Sequence, residues 1–204
     1  MIGYKTLRDL EKNKKIMIER KEYLINLASS NPGLHLNLGC SNSVIPNFIN
    51  IDKYIQSPDI LNYDILDLPY GENTVDSLYC SHVLEHLSIR KSKIALKKLY
   101  GILKPGCLLF VAVPDLEVIM ECLLSSCYDD YEKEWYLHCM YGYQIEQNIR
   151  DKSLEHPDYP PEFHLCGYTK DILSKEMIKI GYNIKKIFSY NGWDTPSIWV
   201  EATK

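Results

Sequence analysis

Apolar and polar positions along the chain change period several times. Residues 5–29 place Leu7, Leu10, Ile16, Ile18, Tyr23, Leu24 and Leu27 at helical spacing until "SSNPG" breaks the pattern, which predicts an N-terminal helix or two. Short apolar runs follow at "LHLNLG" (34–39), "FINID" (48–52), "DILNYD" (59–64) and "VDSLYC" (75–80), and each reads as a strand. A helix ending in "LKKLYGILKPG" (96–106) leads to a fifth strand, "CLLFVAVP" (107–114). Residues 125–168, rich in Tyr, His and Pro, read as a long irregular section. The chain then returns to a helix, "TKDILSKEMIKIGY", with Thr169 as N-cap and Gly181 as C-cap, and to strands near 182–190 and 197–203. Strands separated by helices or short crossovers imply a mostly parallel sheet covered on both faces. There is no internal repeat or low-complexity tract.

Composition narrows the classes. A chain of 204 residues, 46% hydrophobic, supports one substantial core, so one domain is expected. A net charge of -4 disfavours a surface for neutralising nucleic-acid phosphates. The lysines near the start (Lys12, Lys14, Lys15) and later (Lys97, Lys98) sit among periodic apolar residues and read as solvated helix faces. The seven cysteines form no C-x-x-C pair, and Cys40, Cys80 and Cys107 lie in or beside strand-like runs, which suits buried reduced thiols in a cytoplasmic protein. "MIGYKTLRDLEKNKK" lacks the apolar core of a signal peptide and no run is long enough to cross a bilayer, so neither secretion nor membrane spanning is expected.

In open sheets of this kind ligands bind outside the carboxyl ends of the strands. The first strand ends at Gly39, where a glycine lets a ligand approach the backbone closely; a lone glycine after a strand is otherwise an ordinary turn. The second ends at Asp52, a carboxylate able to accept both hydroxyls of a ribose or merely to start a turn. The third ends at Asp64, and the fourth runs into "SHVLEHL" (81–87). That stretch holds His82, Glu85 and His86 as H-x-x-E-H, the spacing of an inverted zinc-peptidase motif. A zinc site would need both histidines inside a helix and a third ligand downstream, whereas His82 is expected at the first helical turn directly after a strand. Metal-free use is the favoured reading.

Taken in order, "LNLGCSNSVIPNFINID", "DILDLPYGENTVDSLYCSHVLEHL" and "LKKLYGILKPGCLLFVAVP", about residues 34–114, resemble the class I S-adenosylmethionine-dependent methyltransferases, particularly the type 11-like group acting on small molecules. The resemblance implies an α/β, Rossmann-like, doubly wound, mostly parallel seven-stranded sheet with its last strand antiparallel. It divides the chain into an N-terminal helical extension (1–30), a cofactor-binding half (34–114), a substrate lid inserted between the fifth and sixth strands (125–168) and a C-terminal helix and strands (169–204).

It also implies roles for single residues. Leu38, Gly39 and Cys40 would pack under the methionine part of S-adenosylmethionine, with Ser41 where the family's loop usually carries a second glycine. Asp52, with Lys53 beside it, matches the ribose-binding acid. Asp64 matches the acid that contacts the adenine amino group, with Ile65 and Leu66 against the ring and Asp67 as an alternative. Ser81 and His82 would close over the methionine end.

The cofactor carries an activated methyl group, so the protein must align the nucleophile and, for a hydroxyl acceptor, remove its proton. Histidine suits that task. The candidates are His82, nearest the expected transfer point, with His138 and His164, and less directly His86 and His156; His35, inside the first strand, is expected to be structural. Within the inserted section, Trp135, Tyr136, Tyr141, Tyr143, Tyr159 and Phe163 join the histidines as a lid with stacking surfaces or as a local packing cluster. Asp115 reads as an N-cap.

A small-molecule acceptor is implied, with a sugar or nucleotide-sugar hydroxyl the first expectation, and no nucleic-acid partner. The alternatives are a non-catalytic cofactor- or partner-binding module of the same fold, hinted at by Ser41, and a zinc hydrolase using His82, Glu85 and His86.

Overall fold

The computed structural model describes residues 21–142, 163–191 and 195–204. Seven strands form one sheet: β1 (His35–Leu38), β2 (Ile49–Ile51), β3 (Ile60–Leu61), β4 (Val75–Ser81), β5 (Leu103–Pro114), β6 (Asn183–Asn191) and β7 (Pro196–Thr203). Their order is β3-β2-β1-β4-β5-β7-β6. Pairing is parallel from β3 to β5, and β7 runs antiparallel to both β5 and β6. The doubly wound sheet with an antiparallel last strand is therefore the one expected from the sequence. Its strand order reverses between β1 and β4, and the ends of those two strands flank the place where such sheets bind ligands.

The helices are α1 (residues 21–30), α2 (Ile89–Ile102), α3 (Leu116–Leu124), α4 (Asp130–Tyr141) and α5 (Lys170–Ile180). One face of the sheet is covered by α2 and α5, whose Ala95, Leu96, Leu99, Leu173 and Met177 pack on Leu36, Leu78, Leu109 and Val111. The other is covered by α1, where Leu24 and Ala28 meet Phe48, Phe110, Ala112 and Trp199. Near-continuous apolar strands such as 109–113 are what a sheet buried on both faces requires. Residues 5–20 of the expected N-terminal helix lie outside the described residues.

Three expectations change. The fifth strand begins at Leu103, directly after α2, because Leu103 is buried and pairs with Val75. Residues 104–107 then bulge, with Gly106 at φ +76° and pairing to Lys204, so that regular pairing resumes at Ser77–Leu108. "SHVLEHL" does not open a helix. His82 sits in the left-handed region at φ +55°, Leu84–His86 make a single 3-10 turn, and α2 starts only after Ser88, whose side chain accepts the Lys91 amide. Residues 125–168 are not uniformly irregular either. Asp129 and Glu132 form a reciprocal capping box that starts α4, a D-x-x-E signature present in the sequence. The other expected caps stand: Asp115 on α3, and Thr169 and Gly181 at the two ends of α5.

None of the seven cysteines is in a disulfide. Cys40 and Cys80 are buried, and burial pushes the Cys40 thiol up to about 11, which makes it a poor nucleophile at neutral pH. His35 is structural as expected, hydrogen-bonded through its two ring nitrogens to Ser77 Oγ (2.7 Å) and the Asn31 carbonyl (2.8 Å). Among the described residues no helix is long and apolar enough to cross a membrane.

Candidate functional site

A cavity of about 460 Å³ opens at the carboxyl ends of β1, β2 and β4. Gly39 at the end of β1 forms its floor. Its φ of +61° is left-handed, and a Cβ there would stand 2.2 Å from Val83 Cγ2, so only glycine fits the turn. Two residues on, Ser41 also takes a positive φ, 45°, the conformation a glycine would adopt more readily.

Asp52, nearly buried, fixes this loop against the one after β2. Its Oδ2 accepts the Ser41 amide (2.9 Å), and its Oδ1 accepts those of Tyr54 (2.8 Å) and Ile55 (3.1 Å). A carboxylate with two oxygens has about four acceptor positions, so capacity for a ligand hydroxyl remains after these three. Lys53 lies 3.2 Å from Asp64 Oδ2, while Asp64 Oδ1 accepts the Leu66 amide at 2.8 Å. Lys53 gains a raised pKa: burial opposes its charge, and Asp64 more than offsets that. Lys98 donates to the Leu66 carbonyl and anchors the 64–67 turn to α2.

The cavity is lined by Leu38, Gly39, Asp52, Lys53, Asp64, Ile65, Leu66 and His82 from the expected cofactor set. Cys40 and Ser81 are not among its lining residues; Cys40 is buried, and Ser81 ends β4 in the sheet. Asp67 is also absent from the lining, which leaves Asp64 as the carboxylate of that turn. Tyr54, Tyr63, Val83, Leu87 and Leu165 line it too, without having been singled out from the sequence. Tyr54 and Tyr63 follow the second and third strands, a position that could have flagged them. Nothing local marks Val83 or Leu165.

His82, which also lines the cavity, faces Glu85. Its Nδ1 lies 2.9 Å from Glu85 Oε1 and its Nε2 lies 3.3 Å from Ser197 Oγ. Glu85 is completely buried, yet neither carboxylate oxygen accepts an aligned hydrogen bond, so the His82 contact is one of charge rather than of hydrogen-bond direction. Burial disfavours the carboxylate, but His82, His86 and His164 around it hold its pKa below the usual value. The Glu85 carbonyl accepts the amides of Leu165 (2.7 Å) and Cys166 (3.2 Å), tying the segment before α5 to this turn.

His86 lines the cavity, with its ring 4.9 Å from that of His164 in an edge-on arrangement. Burial lowers the pKa of His164, partly opposed by Glu85. One donor atom each of Glu85, His86 and His164 lies within 4.8 Å of the others. His138 sits on α4 and is not a lining residue. His156, Tyr143 and Tyr159 lie outside the described residues.

Compared with known proteins, residues 43–111 match a family model described as a methyltransferase domain, about a third of the chain beginning just after the Gly39 loop. No curated protein matches the sequence. Among solved structures, the fold is similar to that of magnesium protoporphyrin IX methyltransferase from Synechocystis with bound S-adenosylhomocysteine (TM-score 0.58, 11% identity, 100% of this chain and 89% of that one). It is also similar to the Burkholderia thailandensis 1,6-didemethyltoxoflavin-N1-methyltransferase bound to its substrate and S-adenosylhomocysteine (0.60, 11%, 98% and 83%). A third is the PH0226 protein of Pyrococcus horikoshii (0.59, 15%, 93% and 90%). At these identities the likeness is one of fold.

Proposed function

We propose that this chain is a class I S-adenosylmethionine-dependent methyltransferase, a reading supported by the match over 43–111 and the shared fold, and that it methylates a small-molecule acceptor with His82 taking the acceptor's proton. The observation that carries the reading is one cavity lined together by Gly39, Asp52, Asp64, Leu66 and His82. The donor set fits the cofactor: a carboxylate for ribose hydroxyls, a second for an amine, and the apolar Leu38, Ile51, Ile65 and Leu66 for a ring. S-adenosylmethionine supplies the activated methyl group, so the protein's own contribution is alignment and proton removal.

Asp52 would hold the ribose through its remaining acceptor positions, and Asp64 the adenine amine, with Lys53 balancing its charge. His82 sets Nδ1 against Glu85, whose charge favours the imidazolium formed on taking a proton, and the 3.3 Å contact of Nε2 with Ser197 Oγ must open before Nε2 takes the acceptor's proton. Ser81 and Cys40 would act only through the backbone they fix. A sugar or nucleotide-sugar hydroxyl remains the proposed acceptor class. The cytoplasmic placement is proposed from the cysteine pattern of the sequence, seven thiols with no C-x-x-C pair.

The test is calorimetric titration with S-adenosylmethionine and S-adenosylhomocysteine, followed by an acceptor screen with radiolabelled cofactor. Micromolar binding and methyl transfer to a hydroxyl-bearing small molecule are expected. Against that acceptor, His82→Gln should bind S-adenosylhomocysteine as before but lose about 10²–10⁴-fold in kcat. A kcat unchanged by His82→Gln would remove His82 from the chemistry.

A further inference from the structure

The chain places Glu85, His86 and His164 around one point although His164 is far from the other two in sequence, and one donor atom from each lies within 4.8 Å of the others. Three features of the cluster go beyond proximity. Glu85 is a completely buried carboxylate with no aligned hydrogen bond to either oxygen, a state that normally demands a compensating charge. His86 donates from Nδ1 to the Phe163 carbonyl at 3.2 Å, and His164 donates from Nδ1 to the Cys139 carbonyl at 3.1 Å. A carbonyl can only accept, so both Nδ1 atoms carry a proton, and it is Nε2 of each ring that is left to offer a lone pair to a cation. An imidazole anchored by Nδ1–H to a backbone carbonyl, with Nε2 left to bind, is the arrangement found in metal-ligating histidines.

We propose that Glu85, His86 and His164 form a site for a divalent first-row transition-metal cation. Two imidazoles and a carboxylate are the donor set of open zinc sites, which keep a position for a further ligand. His86 lines the cavity, so that position is reached from the side where an acceptor would lie. Donor atoms on a tetrahedral zinc ion stand closer together than 4.8 Å, so binding draws the three side chains inward. His82 stays outside the ligand set and neighbours the cation through Glu85 Oε1. This differs from the metal motif readable in the sequence, whose His82 and His86 do not share a helix here. The cation site does not depend on the methyltransferase reading.

The probe is zinc itself, added to full-length protein stripped with a chelator. Calorimetry should show one zinc per chain, and cobalt(II) in its place should give the intense visible bands of a low-coordinate site. Glu85→Gln and His164→Ala should each weaken zinc by more than the roughly 10–100-fold that loss of an outer hydrogen-bond partner costs, whereas His138→Ala should leave it unchanged. A second readout on wild-type protein needs no variant: zinc should protect His86 and His164 from diethyl pyrocarbonate. Absence of binding, zinc affinity indifferent to His164→Ala, or unprotected histidines would each overturn the site. S-adenosylhomocysteine titrated into the same stripped protein reports the cofactor site separately, so the two readings fail independently.

Discussion

Replacing Gly39 by alanine tests how far the cavity floor depends on a close approach of two loops. The alanine would have to hold φ near +61°, which costs an L-residue about 1–2 kcal/mol. Its Cβ would also stand 2.2 Å from Val83 Cγ2, and overpacking of that kind costs about 1–3 kcal/mol. The total, about 2–5 kcal/mol, is a large share of the roughly 5–15 kcal/mol that holds a domain together. The two parts can be separated. Val83→Ala alone should cost about 1–2 kcal/mol for the methyl groups lost from a half-buried side chain. It removes the atom at 2.2 Å and leaves only Val83 Cβ at 3.4 Å. In that background Gly39→Ala should cost only its backbone part, giving a favourable coupling of about 1–3 kcal/mol in a double-mutant cycle measured by urea unfolding. Additive costs, with coupling below about 0.5 kcal/mol, would show that Val83 does not press on Gly39. The reason for a glycine there would then be the backbone alone.

Asp52→Asn keeps one acceptor oxygen for the Ser41, Tyr54 and Ile55 amides but loses the charge; S-adenosylhomocysteine should bind about 10–100-fold more weakly while the protein stays folded, and an unchanged Kd would refute the ribose role. Ser41→Gly should raise stability by up to about 1 kcal/mol, since glycine holds φ +45° without the cost serine bears, offset by its greater freedom when unfolded; a fall in Tm would show that serine is not strained there. Asp76 lies below its ordinary pKa because Lys104 and the Leu34 amide bind its charged form. The stability it contributes is present above the unfolded carboxylate value and is lost as pH falls through the lower folded one. Asp76→Asn should therefore cost about 1–3 kcal/mol at neutral pH and progressively less on acidification; an equal cost in acid would contradict this.

The sheet was legible because its strands are buried on both faces and read as unbroken apolar runs between turn signals. Thr169, Gly181 and Asp115 are caps whose function is set within a few residues, and they too could be read directly. Misreadings arose where tertiary contacts decided. Leu103 belongs to a strand because it meets Val75 across the sheet, not because of its neighbours in sequence. His82 leaves the helix expected of it because its amide is taken by the Ala112 carbonyl on β5 (2.9 Å) and the chain must then turn away from the sheet. The α4 capping box, by contrast, was written in the sequence as Asp129 and Glu132 and outweighed by the density of Tyr and His around it. Asp52 and Asp64 were identifiable by strand-end position, whereas Val83 and Leu165 reach the cavity only through the fold.

The place of Glu85 explains why one short motif serves several ends. Had 82–86 been helical, its two histidines would have shared a face one turn apart and the glutamate would have lain beside them. With His82 at φ +55°, the side chain of Glu85 instead turns into the protein and its carbonyl takes the amides of Leu165 and Cys166. The same turn thereby holds the segment before α5, orients His82 toward the cavity and brings His164 to His86. A fully buried carboxylate is costly without positive charge near it, and His82 Nδ1 stands 2.9 Å from this one. Replacing Glu85 with leucine, of similar bulk, separates a structural from an electrostatic role. If the carboxylate serves only to fill space, Glu85→Leu should be as stable as wild type or more so, with His82 chemistry intact. If it acts through charge, stability is kept or gained while turnover falls, a split between the unfolding midpoint and kcat that no packing role produces.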